Sequence, residues 1–211
     1  MLTYERGFWQ IGYQTIAGVD EVGRGALAGP LVAAAVILPA DLRNSVERSA
    51  FWSTVRDSKT VSAESRSELA LAIRAEALAV GVGIVPVKEL DAIGLGAANR
   101  LAMEYAVADL SVIPDALLID AMTIDTGTDQ LGVIDGDALS LSIAAASIVA
   151  KVYRDALMVS LDKPNPRYGF ARHKGYGVPS HLRAIAEFGP CAHHRTSFAP
   201  VRRALLRHRG P

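Results

Sequence analysis

Short apolar runs occupy residues 16–19, 31–38, 79–85 and 116–119 of this chain, each closed by a proline or an acidic residue. That pattern predicts strands, the second of them buried. The second run closes at Pro39 and forms a hairpin with the first across residues 23–30, where three glycines and a proline predict a pronounced turn. Helical periodicity covers 62–78, with Ser65 and Glu68 at capping-box spacing, and 88–110, with a break near Gly94 and Gly96. A further short strand, 133–137, leads into a long helix over 138–161 with Asp137 at its cap. Residues 41–53 are mixed and carry no signal. Strands interleaved with helices place the chain in the α/β class.

Composition narrows the picture. With 211 residues and 50% hydrophobic positions, the chain is long enough for one well-packed domain and too apolar for disorder. The longest apolar stretch, 31–40, is far short of the roughly 20 residues that span a bilayer, so no membrane association is expected. The opening residues Met1 to Arg6 lack the basic-then-apolar order of a secretory signal, and a cytoplasmic location is expected. A lone Cys191 builds neither a disulfide nor a zinc site.

The zero formal charge hides a division. Residues 1–150 hold 10 Lys and Arg against 19 Asp and Glu, whereas 151–211 hold 12 against 3, together with all five histidines. A basic, His-rich final third is the footprint of a phosphate-backbone partner, although a basic terminal run is also compatible with simple solvation. The expected organisation is a core of residues 1–161 and a basic extension, 162–211, packed on it and contributing to substrate binding.

Candidate chemistry gathers at Ala17-Gly18-Val19-Asp20-Glu21-Val22-Gly23-Arg24-Gly25. Two adjacent carboxylates at the end of a strand repel one another, and a hard divalent cation relieves that repulsion. Gly23 and Gly25 let main-chain N–H groups approach a ligand closely, and Arg24 adds a planar charged donor. An ordinary solvated acidic turn is the competing reading. Residues 116–119 deliver Asp120 to the C-terminal end of a strand, where α/β sheets bind ligands. Arg56-Asp57-Ser58-Lys59 precedes a helix, a setting that suits an anion or a simple cap. On the long helix, Ser140, Ser147, Lys151 and Arg154 fall on one polar stripe, read as a surface for phosphates or as a plain solvent face. In His173-Lys174-Gly175-Tyr176-Gly177, Tyr176 is an aromatic available to stack on a sugar or base. His193 and His194 lack metal-ligand spacing and are read as hydrogen-bonded or exposed surface groups.

Taken together, Gly18 to Gly25, Asp57-Ser58-Lys59, Leu118-Ile119-Asp120, residues 143–151, His173 to Gly177 and Ser197-Phe198-Ala199-Pro200-Val201 resemble the bacterial ribonuclease HII family, the type 2 ribonucleases H, over residues 17–201. The resemblance implies a ribonuclease H-like fold: a mixed sheet of about five strands flanked by helices, with a small helical C-terminal extension. It implies an endoribonuclease that cuts the RNA strand of RNA/DNA hybrids and cuts 5′ to single ribonucleotides in duplex DNA, leaving 3′-hydroxyl and 5′-phosphate ends. Two divalent ions, Mg2+ or Mn2+, would be held by Asp20, Glu21, Asp120 and Asp137. Ser58, Lys59, Ser147 and Lys151 would position phosphates; Gly23, Arg24 and Gly25 would sense the ribose 2′-hydroxyl; Tyr176 would stack on the next sugar. The partners implied are RNA/DNA hybrid and ribonucleotide-containing DNA duplex, with the protein acting as a monomer in removing ribonucleotides during replication and repair.

The chain departs from the family pattern at Ala121, where glycine is usual, and at Asp135, where lysine is usual, so the fourth ligand lies between Asp137 and Asp135, with spacing favouring Asp137. A type 3 ribonuclease H or a junction resolvase would share the carboxylates without Gly-Arg-Gly and Tyr176. A non-catalytic nucleic-acid-binding module would bind without metal-dependent cleavage.

Overall fold

The computed structural model describes residues 1–43, 51–56, 58 and 61–208; Asp57 and Lys59 of the sequence motifs lie outside them. Its strands are β1 (Ile16–Val22), β2 (Leu31–Ile37), β3 (Ala79–Val85), β4 (Ala116–Asp120) and β5 (Asp129–Val133). They form one five-stranded sheet in the order β3-β2-β1-β4-β5. β1 and β2 pair antiparallel, while β4 runs parallel to β1 and to β5. Every residue of β2 is buried, as expected of an unbroken Val/Ala/Leu/Ile run inside a sheet covered on both faces.

The helices are α1 (Thr3–Gln10), α2 (Ala63–Glu76), α3 (Val87–Ile93), α4 (Leu95–Ala108), α5 (Gly136–Leu139), α6 (Leu141–Asp162), α7 (Phe170–His173), α8 (Pro179–Phe188) and α9 (Ala199–His208). The chain divides into two compact units. The first comprises Met1–Val22, Val32–Ile84 and Arg100–Val152, and the second Gly23–Leu31, Val85–Asn99 and Tyr153–Pro211. The second unit therefore gathers two early segments with the C-terminal part, where the sequence suggested one contiguous boundary after residue 161.

In the first unit the alanine-rich face of α6 (Ala144, Ala145, Ile148, Val149) packs with Ala34 and Val36 of β2, Trp52 and Ile73. Small residues let a helix lie close to a sheet, and the large side chains that fill the margins each contribute about 1.5–3 kcal/mol on burial. A separate cluster joins Ile16, Leu118, Val133 and Ile143 to the aromatic rings of Tyr4, Phe8, Trp9 and Tyr13. In the second unit Tyr168 and Phe170 stack with ring centroids 5.4 Å apart beside Met158 and Ala184, and Leu27 packs with Ile185 and Val201.

Three local features differ from the sequence reading. Helix α1 carries no strong sequence signal, yet its Glu5 is fully buried and one carboxylate oxygen accepts from Ser140 Oγ, Ser142 Oγ and Ser142 N. Those bonds explain the second difference. The long helix starts at Leu141 and not at 138, because Ser140 is extended (ψ 132°) and the first turn of α6 is capped by a side chain from α1. Asp135 takes a left-handed conformation (φ 54°), which ends the strand at Val133 and sets Asp137 within the short α5. Third, the cap of α2 is Ser62, whose hydroxyl accepts from Ser65 N at 3.2 Å.

Candidate active site

The acidic residues converge for a topological reason. β1 and β4 are parallel neighbours with Val19 opposite Ile119, so the next position on each strand brings Asp20 and Asp120 to the same end of the sheet. Asp20, Glu21 and Asp120 each offer a carboxylate oxygen within 4.8 Å of the other two. Asp20 is buried, with Oδ1 accepting from Glu21 N at 2.7 Å. Burial and then the Glu21 charge push its pKa well above the usual carboxylate range; a hydrogen bond from Ser147 opposes this and the Asp120 charge adds to it.

Asp120 Oδ1 accepts from Gly136 N at 2.8 Å, which ties the head of α5 to β4. Asp137 is buried on α5 but is not part of the three-carboxylate group. Asp135 is exposed. Three hard oxygen donors at one corner, with Asp20 held against ionisation by burial and then by its acidic neighbours, fit a magnesium- or manganese-type cation, which would reverse the direction of that shift.

Ser58 and Ser147 are both buried, and their hydroxyls lie 2.9 Å apart. With Ser147 also bonded to Asp20, the two hydroxyls serve the carboxylate and are not displayed as a phosphate surface. The proposed polar stripe on α6 dissolves in the same way. Ser140 faces Glu5, Arg154 is fully buried, and Lys151 is half-buried.

Arg154 was thus misplaced by periodicity, and Arg195 gave no functional signal at all. Within the second unit Arg154 donates to the carbonyls of Pro30 (3.0 Å), Lys174 (2.9 Å) and Ala28 (3.1 Å). Arg195, also fully buried, donates to the carbonyls of Gly29 (3.0 Å), Gly23 (2.7 Å), Arg24 (3.1 Å) and Pro30 (3.1 Å). Burial and then the Arg154 charge lower the Arg195 pKa to about 10, leaving it cationic at neutral pH. The 23–30 loop also bridges Tyr176 through Ala26 and His194 through Ala28.

The two glycines of Gly23-Arg24-Gly25 differ in kind. Gly23 is buried at φ +96°, and a Cβ there would sit 2.2 Å from Arg154 Nε, so glycine is required by the fold. Gly25 is exposed, its φ is outside the left-handed region, and nothing lies within 4 Å of where its Cβ would be.

Tyr176 is half-buried, with the Arg154 guanidinium 5.6 Å from its ring centre. Its carbonyl accepts from Val178 N and lies 2.9 Å from His181 Nδ1. His181 Nε2 is 3.1 Å from His194 Nε2, and His194 Nδ1 accepts from Cys191 N at 3.0 Å. Because a carbonyl only accepts and a peptide N–H only donates, both tautomers are fixed: His194 Nε2–H donates to His181, and His181 Nδ1–H donates to Tyr176. Both rings are neutral, with pKa values lowered to about 4 chiefly by burial.

The ribonuclease HII family model matches residues 17–201. Ribonuclease HII of Geobacillus thermodenitrificans is 50% identical over 205 residues, covering 97% of this chain and 76% of that protein. Among solved structures, ribonuclease H2 from Pyrococcus horikoshii shares 23% identity at a TM-score of 0.76, covering 93% of this chain and all of that one. The RNase HII of the PCNA:RNase HII complex from Archaeoglobus fulgidus shares 25% identity at a TM-score of 0.71, over 87% of this chain and 95% of that one.

Proposed function

The chain belongs to the ribonuclease HII family and is an endoribonuclease, and from that premise we propose that it cuts the RNA strand of RNA/DNA hybrids and the 5′ side of single ribonucleotides in duplex DNA. The observation that carries this reading is the convergence of Asp20, Glu21 and Asp120 within 4.8 Å at one sheet end. Asp137, one residue beyond the Gly136 amide held by Asp120, completes the proposed ligand set. Two divalent ions, Mg2+ or Mn2+, would supply activation of the attacking water and stabilisation of the leaving 3′-oxygen.

The chain's own residues do the rest. Ser147 fixes the orientation of Asp20, and Ser58 holds Ser147 in turn. Lys151, and Lys59 by its place in the family motif, neutralise the phosphates that flank the cut. Gly23, Arg24 and Gly25 present backbone groups to the ribose 2′-hydroxyl, and Tyr176 stacks on the following sugar, where a deoxyribose leaves room for the ring. The products are 3′-hydroxyl and 5′-phosphate ends. The protein is proposed to act as a monomer in the cytoplasm, removing ribonucleotides during replication and repair.

The test is a duplex with one internal ribonucleotide, incubated with and without magnesium or manganese. A single metal-dependent cut on the 5′ side of the ribonucleotide is the expected result. Metal-dependent cleavage of all-DNA duplex at the same rate, or tight binding with no cleavage in either metal, overturns it.

A further inference from the structure

Two buried arginines with no catalytic assignment remain to be accounted for. Taking a guanidinium out of water is costly unless its donors are satisfied, and these two are satisfied by main-chain carbonyls of one short loop. Of the seven carbonyl contacts, six fall on residues 23–30 and the seventh on Lys174, two residues before Tyr176.

The direction of these bonds has a covalent consequence. In a trans peptide the C=O of one residue and the N–H of the next point opposite ways, and there is no cis peptide among the described residues. The carbonyls of Gly23 and Arg24 both converge on Arg195 Nη1. The N–H groups of Arg24 and Gly25 are therefore turned away from the buried guanidinium. Arg24 and Gly25 are also the exposed residues of the loop, and the Cα of Gly25 faces open space. By contrast, Ala26 N–H turns inward to Gly23 O, and Leu27 N–H is taken by Gly175 O.

Arg195 is itself braced. Asp91 of α3 accepts from Thr196 N and Oγ1 and from Ser197 N and Oγ, fixing the two residues that follow it. Burial alone would raise the Asp91 pKa, but the Ser197 and Thr196 hydrogen bonds outweigh it and hold the carboxylate charged.

We infer that Arg195 and Arg154 are positioning residues for ribose recognition: by drawing in the carbonyls of the 23–30 loop they aim the N–H groups of Arg24 and Gly25 at the 2′-oxygen of the substrate. This rests on the proposed reading of Gly23-Arg24-Gly25 as the ribose sensor. Arg154 contributes to both halves of substrate choice, since it grips the loop and lies over the Tyr176 ring. Lysine substitutions keep the charge but replace a planar fork that reaches several carbonyls with a single point donor.

The experiment compares binding of a DNA duplex carrying one ribonucleotide with binding of the same sequence in deoxyribose throughout, in calcium in place of magnesium or manganese. The ratio of the two dissociation constants is measured for the wild type and for Arg195→Lys, with circular dichroism as the check on folding. Losing one well-aimed hydrogen bond is worth about tenfold, so the ratio should fall by about that factor while binding to all-DNA duplex is unchanged. An unchanged ratio in folded protein overturns the inference, as does equal weakening toward both duplexes. Should Arg195→Lys not fold, Arg154→Lys is measured by the same criteria. If the wild type shows no preference for the ribonucleotide, it is the reading of the loop as ribose sensor that fails, an outcome separate from the variants retaining a wild-type preference.

Discussion

Each unit of this protein buries charge, but of opposite sign and to opposite ends. In the first unit three carboxylates meet at the ends of parallel strands, where burial first, and then the charges of Glu21 and Asp120, hold the Asp20 pKa well above the usual carboxylate range. In the second unit two guanidiniums are enclosed by carbonyl dipoles that satisfy them from within the chain. The acidic site is electrostatically unfinished, and in the proposed reading a divalent cation completes it. The arginine site is finished, and what it produces is a backbone orientation. On the proposed reading, chemistry belongs to a region that needs a partner ion, and substrate choice to one that is preset.

The sharpest way to break this comparison is Asp120→Asn. It removes a charge from the cluster with no change of shape, and should lower cleavage by at least roughly 10³-fold, since several kcal/mol of transition-state charge stabilisation depend on an intact ligand set. Near-normal turnover in saturating magnesium would show that the cluster is not the metal centre. Asp137→Asn should lower cleavage by roughly 100-fold or more if it completes the set, whereas exposed Asp135→Asn should change it little or raise it slightly by removing negative charge near phosphate. The reverse order in steady-state assays would move the fourth ligand to Asp135.

The two glycines sharpen the other side. Gly23→Ala puts a methyl into Arg154 at a left-handed φ and should cost about 3 kcal/mol in urea unfolding. Gly25→Ala meets nothing in the protein and should leave stability within about 0.5 kcal/mol. It should nonetheless lower cleavage at a single ribonucleotide by roughly 100-fold, because the added methyl displaces the sugar by a fraction of its own size. Equal stability losses for the two variants would contradict the distinction between a glycine the fold needs and one the ligand needs.

These outcomes bear on what the sequence reveals. Asp20, Glu21 and Asp120 were legible because strand ends collect ligands and a carboxylate pair needs a reason. Arg154 and Arg195 were not, because their partners are backbone carbonyls up to 172 positions away, and a carbonyl leaves no trace in residue identity. Arg154 was misread for a related reason: helical periodicity assigns a face, and a buried cation on that face looks the same as a solvated one. The start of α6 was missed because Glu5 sets it from 137 residues away, while the apolar pattern runs on without a break. Four strands, resting on local apolar runs, fell close to their expected ranges, whereas β5 lies at Asp129–Val133 and not at 133–137, because its sequence Asp129-Gln130-Leu131-Gly132-Val133 carries no apolar run and the left-handed Asp135 turns the chain where the strand was expected.

Acidity tests the second unit more gently. His181 and His194 titrate near 4 in the fold and near 6.5 in an unfolded chain. Between those values the unfolded state binds more protons, so stability should rise with pH from about 4 to about 6.5 and level off above. His173, stacked 4.3 Å from His181, adds to the cost of charging that ring. The wild-type urea midpoint, followed against that of His181→Asn over this range, should show a steeper acid loss in the wild type. Parallel curves would mean the pair is not the source.

The smallest effect concerns Ala121, which follows Asp120 of the acidic cluster at φ 55°. A left-handed alanine is strained by about 1–2 kcal/mol, part of which glycine returns as unfolded-state entropy. Ala121→Gly should therefore stabilise the chain by roughly 0.5–1 kcal/mol, a rise of about 2 °C in Tm, without altering metal dependence.

The path of the 23–30 loop also sets an order of events during synthesis. The three clustered carboxylates are all present once residue 120 has been made, but the Gly23 carbonyl waits for Arg195, 172 residues downstream. At roughly 5–20 residues per second the ribosome takes on the order of ten to thirty seconds to cover that distance. A nascent or prematurely terminated chain therefore holds every acidic group of the cluster before it holds Arg195, the residue proposed to orient the 23–30 loop. Quality control that removes incomplete chains would, on the proposed reading, also remove those that carry the acidic cluster without the residue that orients the selective loop.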